Sequence, residues 1–73
     1  MVLVENINLV YMTFDIIEQG KSKTCVLDRN IPLRYKNALK RYMASLEVKL
    51  DKYNQGYKDY VINLMSYLEK EIY

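Results

Sequence analysis

The side chains that could catalyse a reaction are few in this sequence, and several common catalytic groups are missing. The 73 residues include no histidine and one cysteine, Cys25. Without histidine, Cys25 and the serines lack the base that activates the nucleophile in Ser-His and Cys-His enzymes. Gly20 and Gly56 are the only glycines, so no glycine-rich loop can bind a phosphate. The sequence therefore predicts a protein that is not an enzyme.

Metal and acid/base sites have equally little support. An ordinary zinc site needs several histidine or cysteine ligands, and Cys25 fits a small buried apolar residue instead. Glu69 and Glu71 are two residues apart, so they would leave a helix on different faces. Asp15 and Glu18 fit a solvated pair near a turn better than an acid/base couple. We therefore expect no cofactor.

Positive charge is concentrated in the middle of the chain. Residues 1–20 contain three acidic residues and no basic one, residues 21–41 contain seven basic residues and one acidic residue, and residues 42–73 are nearly neutral. Such asymmetry is evidence about binding partners, although solvation of a helix face explains the same charges. The candidate nucleic-acid- or partner-binding residues of this segment are Lys21, Lys23, Arg29, Arg34, Lys36, Lys40 and Arg41.

The eight tyrosines form a second pattern. Some of them share one line of a predicted helix, and a side chain with an apolar ring and a polar tip suits the margin of a core or of an interface. Both interpretations stay open: the tyrosines widen a small core, or they form a dimer or partner surface. The candidate interface residues are Tyr35, Tyr42, Tyr60 and Tyr67.

Two amphipathic helices must carry most of these side chains. The apolar residues of each recur at spacings of four, three and four, which is typical of a helix with one buried face. An antiparallel pair would place Leu50 near Val61 and Leu39 near Ile72. The two stripes are Leu39, Met43, Leu46 and Leu50, and Val61, Met65, Leu68 and Ile72.

The ends of these helices have recognisable signals. Pro32 fits the first turn of the first helix, with Asp28 or Asn30 as its cap. The break between the helices falls at residues 54–56, where asparagine or glycine suits a left-handed position at a helix end.

The segment 2–19 fits either a helix or a strand. Its apolar residues can be read at helical spacing from Leu3 to Ile17, or as an alternating face from Val10 to Ile16. The strand interpretation, favoured slightly by the β-branched residues, pairs residues 9–17 with 23–28 through a turn at residues 18–22. It predicts an α+β fold, an N-terminal β-hairpin followed by an antiparallel two-helix hairpin.

Residues 23–70 resemble the ribbon-helix-helix family of DNA-binding repressors. A short strand leads into "IPLRYKNALKRYM", and Gly56, Asp59, Tyr60, Val61, Leu64, Met65 and Leu68 match the pattern of that family's second helix. The resemblance implies a mainly helical dimer with one short ribbon strand, which is the alternative fold. It also implies that Lys23 and Arg29 contact bases, and that the amides of Tyr57 and Lys58 bind a phosphate.

The size of the chain bounds its organisation. We expect a single small domain over residues 1–73 and, because so short a chain buries a small core, a homodimer. No apolar run is long enough to cross a membrane, and the first residues lack the features of a signal peptide. We therefore expect a cytoplasmic location in a host cell and no membrane association.

Together these observations predict a small binding protein without catalytic activity, of the kind that viruses and mobile elements encode. It would inhibit or regulate a host nucleic-acid-handling complex by occlusion, with a protein of that complex as its partner. The alternative is a dimeric ribbon-helix-helix-like transcriptional regulator that binds double-stranded DNA.

Overall fold

The computed structural model describes residues 1–73 and contains a three-stranded antiparallel sheet followed by two helices. The strands, in the order β1-β2-β3 across the sheet, are β1 (Val2–Asn8), β2 (Thr13–Glu18) and β3 (Lys21–Val26). The helices are α1 (Leu33–Val48) and α2 (Gln55–Tyr67), joined by a 3-10 turn (Leu50–Lys52), and a π-helical turn (Leu68–Ile72) extends α2. The predicted α+β class is confirmed. The mainly helical alternative is wrong, because residues 2–18 form two strands.

The hairpin of β2 and β3 turns at Gln19 and Gly20. Both residues have positive φ angles, 53° and 74°, as a two-residue type I′ turn requires, and glycine adopts such an angle without strain. Glu18 and Lys21 face each other across the turn. The predicted turn is confirmed, while the pairing runs from Thr13↔Val26 to Glu18↔Lys21, closer to the turn than predicted.

Strand β1 extends the hairpin to three strands. It pairs with β2 along its whole length, and its register shifts between Val4 and Asn6, where Glu5 is the extra residue of a bulge. The bulge returns Ile7 to the face of Val2 and Val4, because one extra residue reverses the alternation of a strand. The apolar residues of β1 therefore do not alternate strictly, and their spacing imitates a helix.

The two helices bury the stripes that their spacing predicted, with two differences. Leu50, predicted as the last residue of the first stripe, lies in the 3-10 turn and is only half-buried, and the second difference is on α2. On α1 the buried residues include Leu39, Met43 and Leu46. On α2 and its extension, Leu64 is buried with Val61, Leu68 and Ile72, whereas Met65 is only half-buried. Lys40 lies over the ring of Tyr73, and Glu47 and Met65 line one groove, so the helices run antiparallel.

The helix ends differ from the predicted caps. Pro32 precedes α1 as its N-cap, and no side chain caps that helix. Asp28, one of the predicted caps, instead accepts the amide of Asn30 within the loop. At the second break, Asn54 is in an extended conformation and caps α2 by accepting the amide of Tyr57 at 2.9 Å. Neither Asn54 nor Gly56 has the left-handed conformation that the sequence suggested.

The core lies between one face of the sheet and the two helices. Its fully buried side chains come from both layers and include Phe14 and Ile16 on β2, Leu39 on α1 and Leu64 on α2. All buried residues form one cluster. The residues of β2 that alternate with Phe14 and Ile16 point to the opposite face of the sheet, which no helix covers.

Leu39 and Leu33 provide a matched test of this packing. Leu39 is fully buried, whereas Leu33 on the same helix is 69% exposed. We expect Leu39→Ala to lower the free energy of unfolding by about 2–5 kcal/mol, a large part of the roughly 4–11 kcal/mol typical of a chain this long. Leu33→Ala should change it by less than about 0.5 kcal/mol. Urea denaturation measures both, and equal effects would contradict the assignment of the buried face.

Candidate partner-binding site

The first turn of α1 is anchored to the sheet by Tyr35. This residue is buried, and its ring meets the ring of Phe14 on β2 edge to face, with 6.1 Å between centroids. The Arg34 guanidinium lies 4.6 Å and the Lys23 ammonium 5.3 Å from the centroid of the Tyr35 ring. Tyr35 thus holds one cation from the helix and one from β3 beside each other.

The carboxylate of Glu18, the last residue of β2, lies among these groups. It accepts hydrogen bonds from Arg34 Nε at 3.0 Å and from the Tyr35 hydroxyl at 3.2 Å. The Lys23 ammonium lies 3.9 Å away. Glu18 thereby links β2, β3 and α1 at one end of the sheet.

These contacts shift the pKa values of the Glu18 carboxyl and the Lys23 ammonium. The hydrogen bond from Arg34 lowers the pKa of the Glu18 carboxyl, and the charge of Arg34 lowers it further. The Tyr35 hydroxyl beside the Lys23 ammonium raises the pKa of that lysine. Both shifts favour the charged forms, because each charge faces an opposite charge or a hydrogen-bonding group.

Two more basic residues lie at the same end of the sheet. Lys21 is exposed and pairs in register with Glu18. Arg41, on the same side of α1 as Arg34, donates to the carbonyl oxygen of Val2 at 3.2 Å, and Val2 pairs with Glu18 on the other side. Four cations therefore extend across the three strands with Glu18 as the carboxylate among them. We call this group, Lys21, Lys23, Arg34 and Arg41, the basic end.

The remaining basic residues of the segment 21–41 lie near the C-terminal end of α2. Arg29 donates to the carbonyl oxygens of Glu71 and Lys70 at 3.2 and 3.4 Å, where a positive charge complements the helix dipole. Lys40 lies over the ring of Tyr73 at 4.9 Å, and Lys36 precedes it by one helical turn. Arg29 and Lys40 thus contact the end of the chain after α2, and not Glu18 or Val2.

The predicted phosphate contacts lie at the opposite end of the sheet. Tyr60 donates its hydroxyl to the carbonyl oxygen of Ile7 at 3.2 Å, and Tyr57 and Lys58 begin the same helix. Ile7 is five residues from Val2 along β1, about 17 Å at the rise of a strand. Both predicted amides already have partners within the chain, Asn54 Oδ1 for Tyr57 and the Asn54 carbonyl for Lys58.

The tyrosines predicted as an interface have different positions. Tyr35 is buried, Tyr42 and Tyr67 are half-buried, and Tyr60 is partly exposed. Burial, and the neighbouring hydroxyls, raise the pKa of Tyr42. The rings of Tyr53, Tyr57 and Tyr60 form a cluster that the sequence did not predict. Ring centroids are 4.3 Å apart between Tyr53 and Tyr57 and 5.8 Å apart between Tyr57 and Tyr60, with the rings tilted against each other.

No match comes from known protein families, curated proteins or solved structures. The resemblance to the ribbon-helix-helix family therefore stays a prediction. No three side chains of the types that bind metals lie close enough together to hold an ion. Neither helix combines the length and the apolar character that crossing a membrane requires.

Glu18 is the site residue that the sequence did not identify. The sequence grouped it with Asp15, but the two carboxylates are on opposite faces of β2: Asp15 accepts the Thr24 hydroxyl at 2.6 Å, whereas Glu18 meets Arg34 and Tyr35. The sequence feature that could have identified Glu18 is its position immediately before the Gln19-Gly20 turn. That turn places Glu18 opposite Lys21.

The two edge strands of the sheet differ in the hydrogen bonds that their backbones form with the rest of the chain. On β1, the helices supply two hydrogen-bond donors, Arg41 to the Val2 carbonyl and Tyr60 to the Ile7 carbonyl. On β3, no side chain or loop bonds to the strand's backbone, and its only hydrogen-bonded neighbour is β2. The basic end is therefore next to an unpaired strand edge.

The interactions of Glu18 predict a specific dependence of stability on pH. Because its pKa lies below the ordinary value of 4.5 in the folded chain, the carboxylate stabilises the fold at neutral pH. This contribution disappears as the pH falls through the lowered pKa. We expect wild type to be more stable than Glu18→Gln at neutral pH, with the difference shrinking below about pH 4.5.

Urea denaturation at a series of pH values measures this difference. Glu5→Gln is the matched control, because Glu5 is exposed and forms no ion pair. A difference between wild type and Glu18→Gln that stays constant from neutral to acid pH would contradict the assignment.

Two tyrosine hydroxyls in different surroundings provide a further test. The Tyr73 hydroxyl is buried without a hydrogen-bond partner, and burial raises the pKa of Tyr73 to about 12. Removing an unsatisfied buried hydroxyl removes its desolvation cost, so we expect Tyr73→Phe to leave stability unchanged or to raise it. Tyr60→Phe loses the bond to Ile7 and should cost about 0.5–1.5 kcal/mol. Thermal and urea denaturation compare the two, and the opposite order would contradict these hydroxyl environments.

Proposed function

We propose that this chain is a small binding protein without catalytic activity that is encoded by a virus or mobile element. It inhibits a host nucleic-acid-handling complex by occluding the surface of one of its proteins. The observation that supports this proposal is the basic end, where Lys23 and Arg34 form ion pairs with Glu18. Lys21 pairs with Glu18 across the turn, and Arg41 binds the carbonyl of Val2, which pairs with Glu18 on the other side.

The arrangement suits electrostatic recognition of an acidic surface. The Lys23 and Arg34 side chains are 52% and 57% exposed, while Tyr35 beneath them is fixed in the core. Cations held in place by packing lose less conformational freedom on binding than free side chains do. Clustered charges of one sign also accelerate encounter with a partner of opposite sign.

In the proposed occlusion, the basic end makes the main contact with the partner protein, and the tyrosines do not. Tyr35 is buried and Tyr60 is bonded to β1, so neither is free to serve as an anchor. Tyr57 is 37% exposed, but it lies at the other end of the sheet, and a partner must extend along about 17 Å of strand to reach it as well.

Direct binding of double-stranded DNA is the other function predicted from the sequence. Such binding would weaken steeply as salt rises, because neutralising phosphates releases counterions and each phosphate contact adds about one to the slope of log affinity against log salt. A gel shift with random duplex DNA at low and moderate salt therefore separates the two functions. The proposal of occlusion predicts no shift at micromolar protein.

The charge variant Lys21→Gln/Lys23→Gln tests the role of the basic end. We expect it to lose a partner that wild-type chain retains from a nuclease-treated host lysate, because the two lysines supply half of the cations at this end. Once that partner is identified by mass spectrometry, its own binding to nucleic acid should be inhibited by wild type and not by the variant.

Lys49→Gln/Lys52→Gln is the matched control, since it removes the same charge from the turn between the helices. It should retain and inhibit the partner as wild type does. Equal loss in both variants would mean that net charge, and not the basic end, determines binding. Retention that requires intact nucleic acid would contradict occlusion of a protein surface.

A further inference from the structure

Strand β3 has a free edge whose hydrogen-bonding groups can be assigned residue by residue. Glu18 and Lys21 close a two-residue turn, so their backbone groups point at each other. Along an antiparallel strand this direction alternates, and Leu27 donates to Met12 as the alternation requires. The N–H and C=O groups of Ser22, Thr24 and Val26 therefore point away from the sheet.

We propose that the β3 edges of two copies of this chain pair in antiparallel fashion, forming a continuous six-stranded sheet with Thr24 on the two-fold axis. This register places Ser22 opposite Val26 of the second copy and Thr24 opposite Thr24. All three outward residues of each strand then find partners. The assembly differs from a two-stranded ribbon between subunits, because β3 is already paired with β2 in its own chain.

The charges of β3 favour this register over its neighbours. Centring the pair on Lys23 would place two lysines directly opposite each other, and centring it on Ser22 would place Lys21 opposite Lys23. Like charges in these positions are destabilising. Centring on Cys25 leaves the outward groups of Ser22 beyond the partner strand. Centring on Thr24 places Lys23 opposite the uncharged Cys25.

The ends of the paired strands are also complementary in charge. With Thr24 on the axis, Lys21 of one copy lies opposite Leu27 of the other and one residue from Asp28. Both Lys21 and Asp28 are exposed. The antiparallel arrangement thus brings Lys21, at the start of each β3 strand, close to Asp28, which follows the β3 strand of the other copy. Threonine opposite threonine is itself a favourable cross-strand pair.

The contrast between the two edges supports this choice of surface. Arg41 and Tyr60 already donate to the backbone of β1, whereas the backbone of β3 is hydrogen-bonded only to β2. An unpaired strand edge is a template for pairing with another chain. Pairing through β3 would place the basic ends of the two copies on the same face of the six-stranded sheet, one toward each end of the paired strands.

Disulfide trapping tests the register directly. In the double variant Thr24→Cys/Cys25→Ser, the two cysteines at the axis would have Cα atoms about 5.5 Å apart, within the roughly 4.4–6.8 Å that a disulfide spans. Under mild oxidation we expect a covalent dimer to form at least about tenfold faster than in Asn37→Cys/Cys25→Ser, because pairing raises the effective concentration of the thiols.

Asn37 is the matched control because it is exposed on α1. Ser22→Cys/Cys25→Ser tests the register, since its two cysteines would lie four residues apart along the paired strands and should link no faster than the control. Equal rates at positions 22 and 24, or at 24 and 37, would overturn the proposal. These experiments use the purified chain alone, so their result is independent of the proposed inhibition.

A proline variant gives a second measurement. The N–H of Thr24 points away from β2, so Thr24→Pro removes a donor needed only for pairing between copies, and proline is tolerated at such an edge position. We expect wild type to dimerise with rising concentration in sedimentation experiments, and Thr24→Pro to stay monomeric while keeping its circular dichroism spectrum. A monomeric wild type, or a folded Thr24→Pro that still dimerises, would overturn the proposal.

Discussion

The position of Tyr35 is the constraint on which the arrangement of this molecule depends. Its ring is buried against Phe14, its hydroxyl reaches Glu18, and the cations of Lys23 and Arg34 lie against it. Exposed ion pairs contribute little to stability on their own, so the apolar contacts hold the helix in place. The ion pair then determines where the charges point. The same contact that closes the core therefore also builds the basic end.

Much of the fold follows from local sequence patterns, and one strand does not. The apolar spacing of α1 and α2 predicts their buried faces, and Gly20 marks the hairpin turn. Strand β1 was not predicted, because the bulge at Glu5 breaks the alternation that identifies a strand. The choice of Leu64 over Met65 as a buried residue depends on how α2 rotates against the sheet, which spacing alone does not determine.

The candidate site was predictable only as a charged segment. Seven basic residues between 21 and 41 are evident in the sequence, but the fold separates them. Arg29 and Lys40 belong to the end of α2, whereas Arg41 joins the basic end through Val2. Glu18 comes from the acidic first segment and enters the site through strand pairing. Contacts between residues distant in sequence decide such neighbours, and charge counts along the chain do not contain them.

The sheet has one edge supported by the helices and one open edge beside its cations, and this asymmetry connects the fold to binding. Amide hydrogen exchange on dilute monomeric protein tests it most directly. An open β3 edge predicts slow exchange at Lys23 and Cys25, whose amides face β2, and fast exchange at Ser22, Thr24 and Val26. Uniform protection along β3, or uniformly fast exchange, would contradict the open edge.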